Sequence, residues 1–174
     1  MTGPGPDAAA PRIAELGHTG LWVYDLEVMR SFYTEVLGLT VTDEDPELGM
    51  VFLSSRPEVE HHEMVLARGR TAPLDTRQTH QISWRVDTLD ALRAFKRRFD
   101  AGRVPIQQVV THGNAFGIYF FDPEGNRGEV YWQTGLEIPQ PFRKSLDLDQ
   151  DIEAILAQAE TLLSEGGPRY QPVL

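Results

Sequence analysis

The sequence predicts an α+β fold in which two tandem βαβββ modules form a curved mixed sheet around a cavity, with a further helix at the C-terminus. Three observations predict it. First, a pattern returns: GHTGLWVYDLEVMRSFY and THQISWRVDTLDALRAFKRRF pair His18 with His80, Trp22 with Trp84 and Asp25 with Asp87. One inserted residue later, Leu26, Arg30 and Phe32 pair with Leu89, Arg93 and Phe95. Second, each copy opens with a short apolar run and a helical period, then continues with extended segments. Third, a polar stretch after the second copy ends in an amphipathic period of helical length. One small module buries little, whereas two side by side can enclose a cavity with helices outside.

In chain order, residues 1–12 are rich in Gly, Pro and Ala without periodicity and read as a loose tail. Module one spans 13–70: a strand from about Leu16, a helix capped by Asp25 and stopped at Gly38, then strands in LTVTDED, MVFLSS and HHEMVLA. A loop over 71–78 leads to module two, 79–134, and the two together are read as one domain. Residues 135–174 begin with a Pro-interrupted crossing segment, GLEIPQPFRKS. They continue with a helix whose stripe is Ile152, Ile155, Leu156, Ala159, Leu162 and Leu163, capped by Asp147 or Asp149 and ended by Gly166. That stripe needs cover from the chain's own sheet or from another subunit.

Composition narrows the function. The chain has 174 residues, 41% of them hydrophobic, which suffices for a sizeable core. Sixteen basic against twenty-six acidic residues give a net charge of −10, which disfavours nucleic acid and anionic lipid as partners. No cysteine is present, so thiolate ligands, cysteine nucleophiles and disulfides are excluded. The N-terminal MTGPGPDAAAP lacks the form of a signal peptide and no apolar run is of membrane-spanning length, so the expectation is a cytoplasmic protein. Association into a homo-oligomer is expected from open sheet edges and the C-terminal helix.

The chemistry centres on Val110 to Glu129, VTHGNAFGIYFFDPEGNRGE. FGIYFF is a strand by composition, DPEGN a reversal and GEVYW the start of the returning strand, so His112, Tyr119 and Glu129 are carried on one hairpin. His18 and His80, at matching points of the repeat, add two imidazoles. With Glu129 they make a two-nitrogen, one-carboxylate set that leaves three octahedral positions of a divalent ion open. Trp22, Trp84, Phe116, Phe120, Phe121 and Trp132 supply either core or pocket lining. The basic run Lys96-Arg97-Arg98 reads as a solvated helix face.

Val110, His112, Ile118, Tyr119, Asp122, Pro123, Gly125 and Glu129 fit the signature of the type I extradiol ring-cleavage dioxygenases, within the vicinal oxygen chelate superfamily. The two modules resemble that superfamily's paired-module fold over about Leu16 to Gly135, and the single pair resembles its small one-domain branch. The resemblance implies Fe(II), with Mn(II) as the alternative, held by His18, His80 and Glu129, and dioxygen as co-substrate. It implies a small aromatic diol as substrate, and bicyclic diols, simple catechols and amino-acid catechols all meet that description. His62 corresponds to the family's acid/base residue, with Glu63 as the competing cavity residue and a possible fourth ligand; alternation along a strand would send His61 to the other face. His112 and Tyr119 would hydrogen-bond the ring oxygen and the intermediates. Two other classes share the fold: a metal-dependent thiol transferase of the fosfomycin-resistance type, and a non-catalytic drug-binding protein of the bleomycin-resistance type.

Overall fold

The structure, a computed structural model, describes residues 12–165; the expected tail and Gly166 lie outside these residues, apart from Arg12 at the tail's end. Module one begins with β1 (Thr19–Val23), where Leu21 and Val23 are buried and Gly20 and Trp22 are exposed. Asp25 caps α1 (Leu26–Ser31) by accepting from the Val28 amide at 3.0 Å. The helix continues as a wider turn over Phe32–Val36, where Leu37 N–H reaches the Phe32 carbonyl, and Gly38 stops it at φ 82°. Strands β2 (Thr40–Asp45), β3 (Met50–Ser54) and β4 (Met64–Arg68) complete a sheet of order β1-β4-β3-β2, with β1 and β4 parallel.

Module two repeats the plan with β5 (Ile82–Val86), α2 (Leu89–Ala101), β6 (Ile106–Thr111), β7 (Ala115–Phe121) and β8 (Arg127–Gln133). Its sheet has order β5-β8-β7-β6-β9, because the crossing segment contributes a two-residue strand β9 (Lys144–Ser145) on the edge of β6. The α+β class and the βαβββ order are as expected, with the strands hydrogen-bonded as two sheets, one edged by β1 and β2 and the other by β5 and β9. Both sheets and all three helices contribute to one core: Phe120 lies 4.8 Å from Phe99 of α2 and 6.1 Å from Phe32, ring centre to ring centre. Among the described residues, no helix is long and apolar enough to cross a membrane.

Three expectations change and one open alternative is decided. The helix caps show that the repeat carries no insertion: Thr88, sixty-three positions after Asp25, caps α2 by accepting from the Ala91 amide, and Asp87 does not. Trp84 packs toward the core beside Ile82 and Val86, whereas Trp22 is 61% exposed on the opposite phase of its strand. Matching tryptophan to tryptophan therefore slipped the register by one residue, and in a strand one residue is a change of face. Next, β4 begins at Met64, so His61, His62 and Glu63 precede the strand and simple alternation does not apply to them. Asp151, not Asp147 or Asp149, caps α3 (Ile152–Ser164). Finally, the chain's own core receives the α3 stripe through Ile155 and Ala159.

The two modules are clasped by a buried ion pair. Glu124, in the β7–β8 turn, accepts from the amides of Tyr24 (2.7 Å) and Asp25 (2.9 Å) at the end of β1. Arg70 faces its other oxygen at 3.5 Å and also donates to the carbonyls of Ala72, Pro73 and Glu124. Both side chains are almost fully buried, so removing one charge leaves the other without compensation. Glu124→Ala is expected to lower unfolding stability by about 3–5 kcal/mol in urea denaturation; a loss below about 1 kcal/mol would show that the clasp is dispensable.

Candidate active site

On β7 and β8 the register sets Tyr119 directly opposite Glu129, and on β5 and β8 it sets Ser83 beside Glu129. The three side chains project from the sheet face that the helices do not cover. Glu129 is nevertheless buried, and its Oε2 accepts from Ser83 Oγ at 2.6 Å and Gln81 Nε2 at 3.1 Å. Its Oε1 occupies the space over Gly117, where a Cβ would stand 2.7 Å away, so only glycine at 117 leaves room for this carboxylate. Asp122 holds the preceding turn by accepting from the amides of Glu124 and Asn126, and Gly125 adopts φ 78°.

His112 lies in the turn after β6. Its Nδ1 is 2.9 Å from the Phe142 carbonyl and its Nε2 3.0 Å from Tyr119 Oη. A carbonyl accepts only, so Nδ1 carries the proton, and in the neutral ring Nε2 is the acceptor facing the phenol. Arg127 lies 4.0 Å from the Tyr119 ring centre and donates to Gln107 and to Gln81 Oε1, each at 2.7 Å. Burial, then the Glu129 carboxylate, push the Tyr119 phenol well above its ordinary value, against the opposing charges of Arg127 and Arg143. Tyr119 is thus held protonated, as a hydrogen-bond donor.

A second group gathers in module one. The exposed His18 ring lies 4.4 Å from that of His62, and His61 Nδ1 is 2.8 Å from His62 Nδ1. Partial burial, then the neighbouring His18 and His61, lower the His62 pKa. Glu63 faces Ser55 and Arg56: burial opposes its charge, but those hydrogen bonds outweigh it and keep the carboxyl below the usual range. The carboxylate is committed to its own loop.

The structure thus brings His112, Tyr119 and Glu129 together, and separately His18 and His62. His80 sits exposed in a bend before β5. The Glu124 clasp orients β1. It fixes the end of β1 at the turn that opens β8, so His18, six residues back along the strand and about 20 Å away at ~3.3 Å per residue, lies toward the opposite end. There it shares a cavity of about 600 Å3 with Ser83, Arg85, Asp87 and Tyr131. Among the described residues, no three His, Asp or Glu side chains are gathered to hold a metal ion. The two-imidazole, one-carboxylate set therefore does not fit this chain as folded.

Comparison with known proteins places the architecture. The model of the Glyoxalase/Bleomycin resistance protein/Dioxygenase superfamily matches residues 15–130. The chain belongs to this superfamily. Among curated proteins it is 27% identical over 135 residues to a 1,2-dihydroxynaphthalene dioxygenase of Sphingobium xenophagum, covering 75% of this chain and 43% of that protein. It is also 27% identical over 125 residues to a manganese-dependent 2,3-dihydroxybiphenyl 1,2-dioxygenase of Geobacillus genomosp. 3, covering 70% and 38%. The chain spans about two-fifths of the length of these relatives. Among solved structures, a glyoxalase/dioxygenase from Nostoc punctiforme aligns with TM-score 0.58 at 19% identity, over 75% of this chain and 99% of that one. The fosfomycin resistance protein FosX from Listeria monocytogenes aligns at 0.57 and 18%, over 71% and 96%. At these identities the structural matches establish the superfamily's fold.

Sequence reasoning did not find Gln81, Ser83, Gly117, Arg127 or the Phe142 carbonyl. Gln81 and Ser83 had a signal, polar residues on alternate positions at the head of a strand, which becomes readable once the repeat is aligned on its helix caps. The raised Tyr119 pKa has a checkable consequence. Above the ordinary phenol value near 10, the unfolded chain releases this proton before the folded one does, so stability falls as pH rises. Tyr119→Phe is expected to flatten that alkaline decline and to remove one late-ionising phenol from the ultraviolet titration of the folded protein. Ionisation of Tyr119 together with the exposed tyrosines would contradict the buried hydrogen-bonded placement.

Proposed function

We propose that the chain is a ring-cleaving dioxygenase of a catechol-type aromatic diol, with the open face of β5, β8 and β7 as its chemical centre. The observation that carries this is the hydrogen-bonded set His112, Tyr119 and Glu129, which occupies the signature positions of the extradiol enzymes on adjacent strands. The curated relatives reported above, each named as a dioxygenase of an aromatic diol, support the same reading. Oxygen incorporation would require Fe(II) or Mn(II), which His18, His80 and Glu129 would hold only if brought together from their places in this fold. The residues of the chain bind the diol and manage its protons. Without the diol the protonated Tyr119 donates to His112 Nε2; with the diol bound, its O–H would turn to a ring oxygen, where a placed donor stabilises negative charge as it develops. The Nε2 of His112, its ring fixed by the Phe142 carbonyl, would then be free to receive a proton. His62 stands with His18 in module one, outside this set.

A metal-free ligand-binding member of the superfamily is the second reading. It is favoured by the ungathered metal set and by an apolar cleft of about 400 Å3 on the open face of module one, lined by Trp22, Leu48, Met50 and Val65.

The deciding experiment adds Fe(II) or Mn(II) to the protein without air, then a panel of aromatic diols, then oxygen. The expected result is oxygen uptake with a yellow ring-opened product, reduced about 100-fold or more in Glu129→Ala and about 10- to 100-fold in Tyr119→Phe. Saturable binding of an aromatic ligand without oxygen uptake would instead establish the binding protein.

A further inference from the structure

The hydrogen on His112 Nδ1 is set by one acceptor, the Phe142 carbonyl at 2.9 Å, which belongs to a segment thirty residues further on. In a neutral imidazole the nitrogen that faces an acceptor keeps the hydrogen and the other keeps a lone pair, so the place of this carbonyl decides what Nε2 presents to Tyr119. The strand pairing that brings the segment in stops short of the site. β9 and β6 pair Ser145 with Val110 and Lys144 with Thr111, and the ladder ends there, one residue before His112 and two after Phe142.

Gln140 spans the gap. Its Nε2 donates to the His112 carbonyl at 2.8 Å and its Oε1 accepts from the Phe142 amide at 3.0 Å. A backbone carbonyl only accepts and a backbone N–H only donates, so these two contacts fix which end of the carboxamide is which. With the bond from His112 Nδ1 to the Phe142 carbonyl they close a ring of hydrogen bonds through residues 112, 140 and 142. A side chain thus continues the cross-linking that the ladder no longer supplies. The same Nε2 approaches Asn114 Oδ1 at 3.3 Å and the Ile138 carbonyl at 3.4 Å. Other contacts hold the turn itself: Thr134 donates to the carbonyls of Gly113 and Asn114, and the Ile138 side chain covers Gly113, where a Cβ would stand 2.9 Å from it. Gln140 ties that turn to the acceptor.

We propose, building on the reading of this face as the chemical centre, that Gln140 is a positioning residue for His112: by holding the Phe142 carbonyl at Nδ1 it keeps the hydrogen there and leaves Nε2 as the lone pair that can receive a proton. Without the carboxamide the carbonyl is free to leave and the hydrogen is free to move to Nε2. The contact with Tyr119 then reverses, with the imidazole donating and the phenol oxygen accepting, and no lone pair remains at Nε2. Gln140 is itself exposed, so its replacement leaves the core intact.

Long-range proton–nitrogen NMR correlation on the nitrogen-15-labelled full chain at about pH 8.5, where an ordinary imidazole is neutral, reads the tautomer of each histidine. The His112 signals are those that vanish in His112→Asn, and circular dichroism confirms that each variant is folded. The unaltered chain is expected to show His112 in the Nδ1–H form. Gln140→Ala is expected to bring in the Nε2–H form, and so is Gln140→Glu, which keeps the shape but has no N–H to give the His112 carbonyl. Ile138→Ala, which thins the packing on the turn and leaves the carboxamide in place, is expected to retain Nδ1–H. In the oxygen-uptake assay kcat is expected to fall about 10-fold in Gln140→Ala with KM little changed. An Nε2–H ring in the unaltered chain overturns the proposal, as does Nδ1–H retained in both Gln140 variants, its equal loss in Ile138→Ala, or an unchanged kcat. A tautomer that follows Gln140 without oxygen uptake on any diol, even by the unaltered chain, leaves this assignment standing and removes the dioxygenase reading alone.

Discussion

The buried carboxylate of Glu124 sets how the two halves of this protein meet. By accepting the amides of Tyr24 and Asp25 while facing Arg70, it pins the end of β1 to the turn that opens β8. Tyr33 reinforces the join by donating to Asp122 in the same turn at 3.1 Å. Because β1 is thereby anchored at its far end, the imidazole at its head lies at the other end, in the cavity that Ser83 and Tyr131 also line. Desolvation makes the pair costly to form and costlier to break by halves, so its worth lies in fixing the geometry of the join.

Within module two, local constraints compound in the same way. The Asx-type turn at Asp122 sets the hairpin register, the register puts Tyr119 opposite Glu129, and glycine at 117 leaves the carboxylate its space. The carboxylate then raises the phenol's pKa, and the Phe142 carbonyl from the crossing segment fixes the His112 ring that meets the phenol. The crossing segment is therefore part of the site, reaching it through the short β9 pairing on β6.

Much of this was legible in the sequence, and the parts that were not share a cause. Strand composition and Pro-Gly punctuation located the hairpin over Val110 to Glu129, and the Asp25 cap and the Gly38 stop framed the first helix. These are signals that a few neighbouring residues settle among themselves. The phase of the repeat was misread because residue identity, Trp with Trp, outweighed the capping position, and phase is decided by packing against helices that the local sequence does not display. The capping of α3 by Asp151 was missed among several nearby aspartates, of which Asp149 is taken up by Lys96. Gln81 and Ser83 were passed over because a carboxamide and a hydroxyl attract less notice than an adjacent histidine. Their role comes from the carboxylate forty-six to forty-eight positions further on.

The claim on which the rest turns is that the open face of module two is the chemical centre of this protein. The most direct measurement is the difference map of a crystal soaked in an aromatic diol. The expected result is the ligand within hydrogen-bond distance of Tyr119 and His112. A ligand bound only in the module-one cleft lined by Trp22 and Met50 would contradict the claim and move the centre to module one.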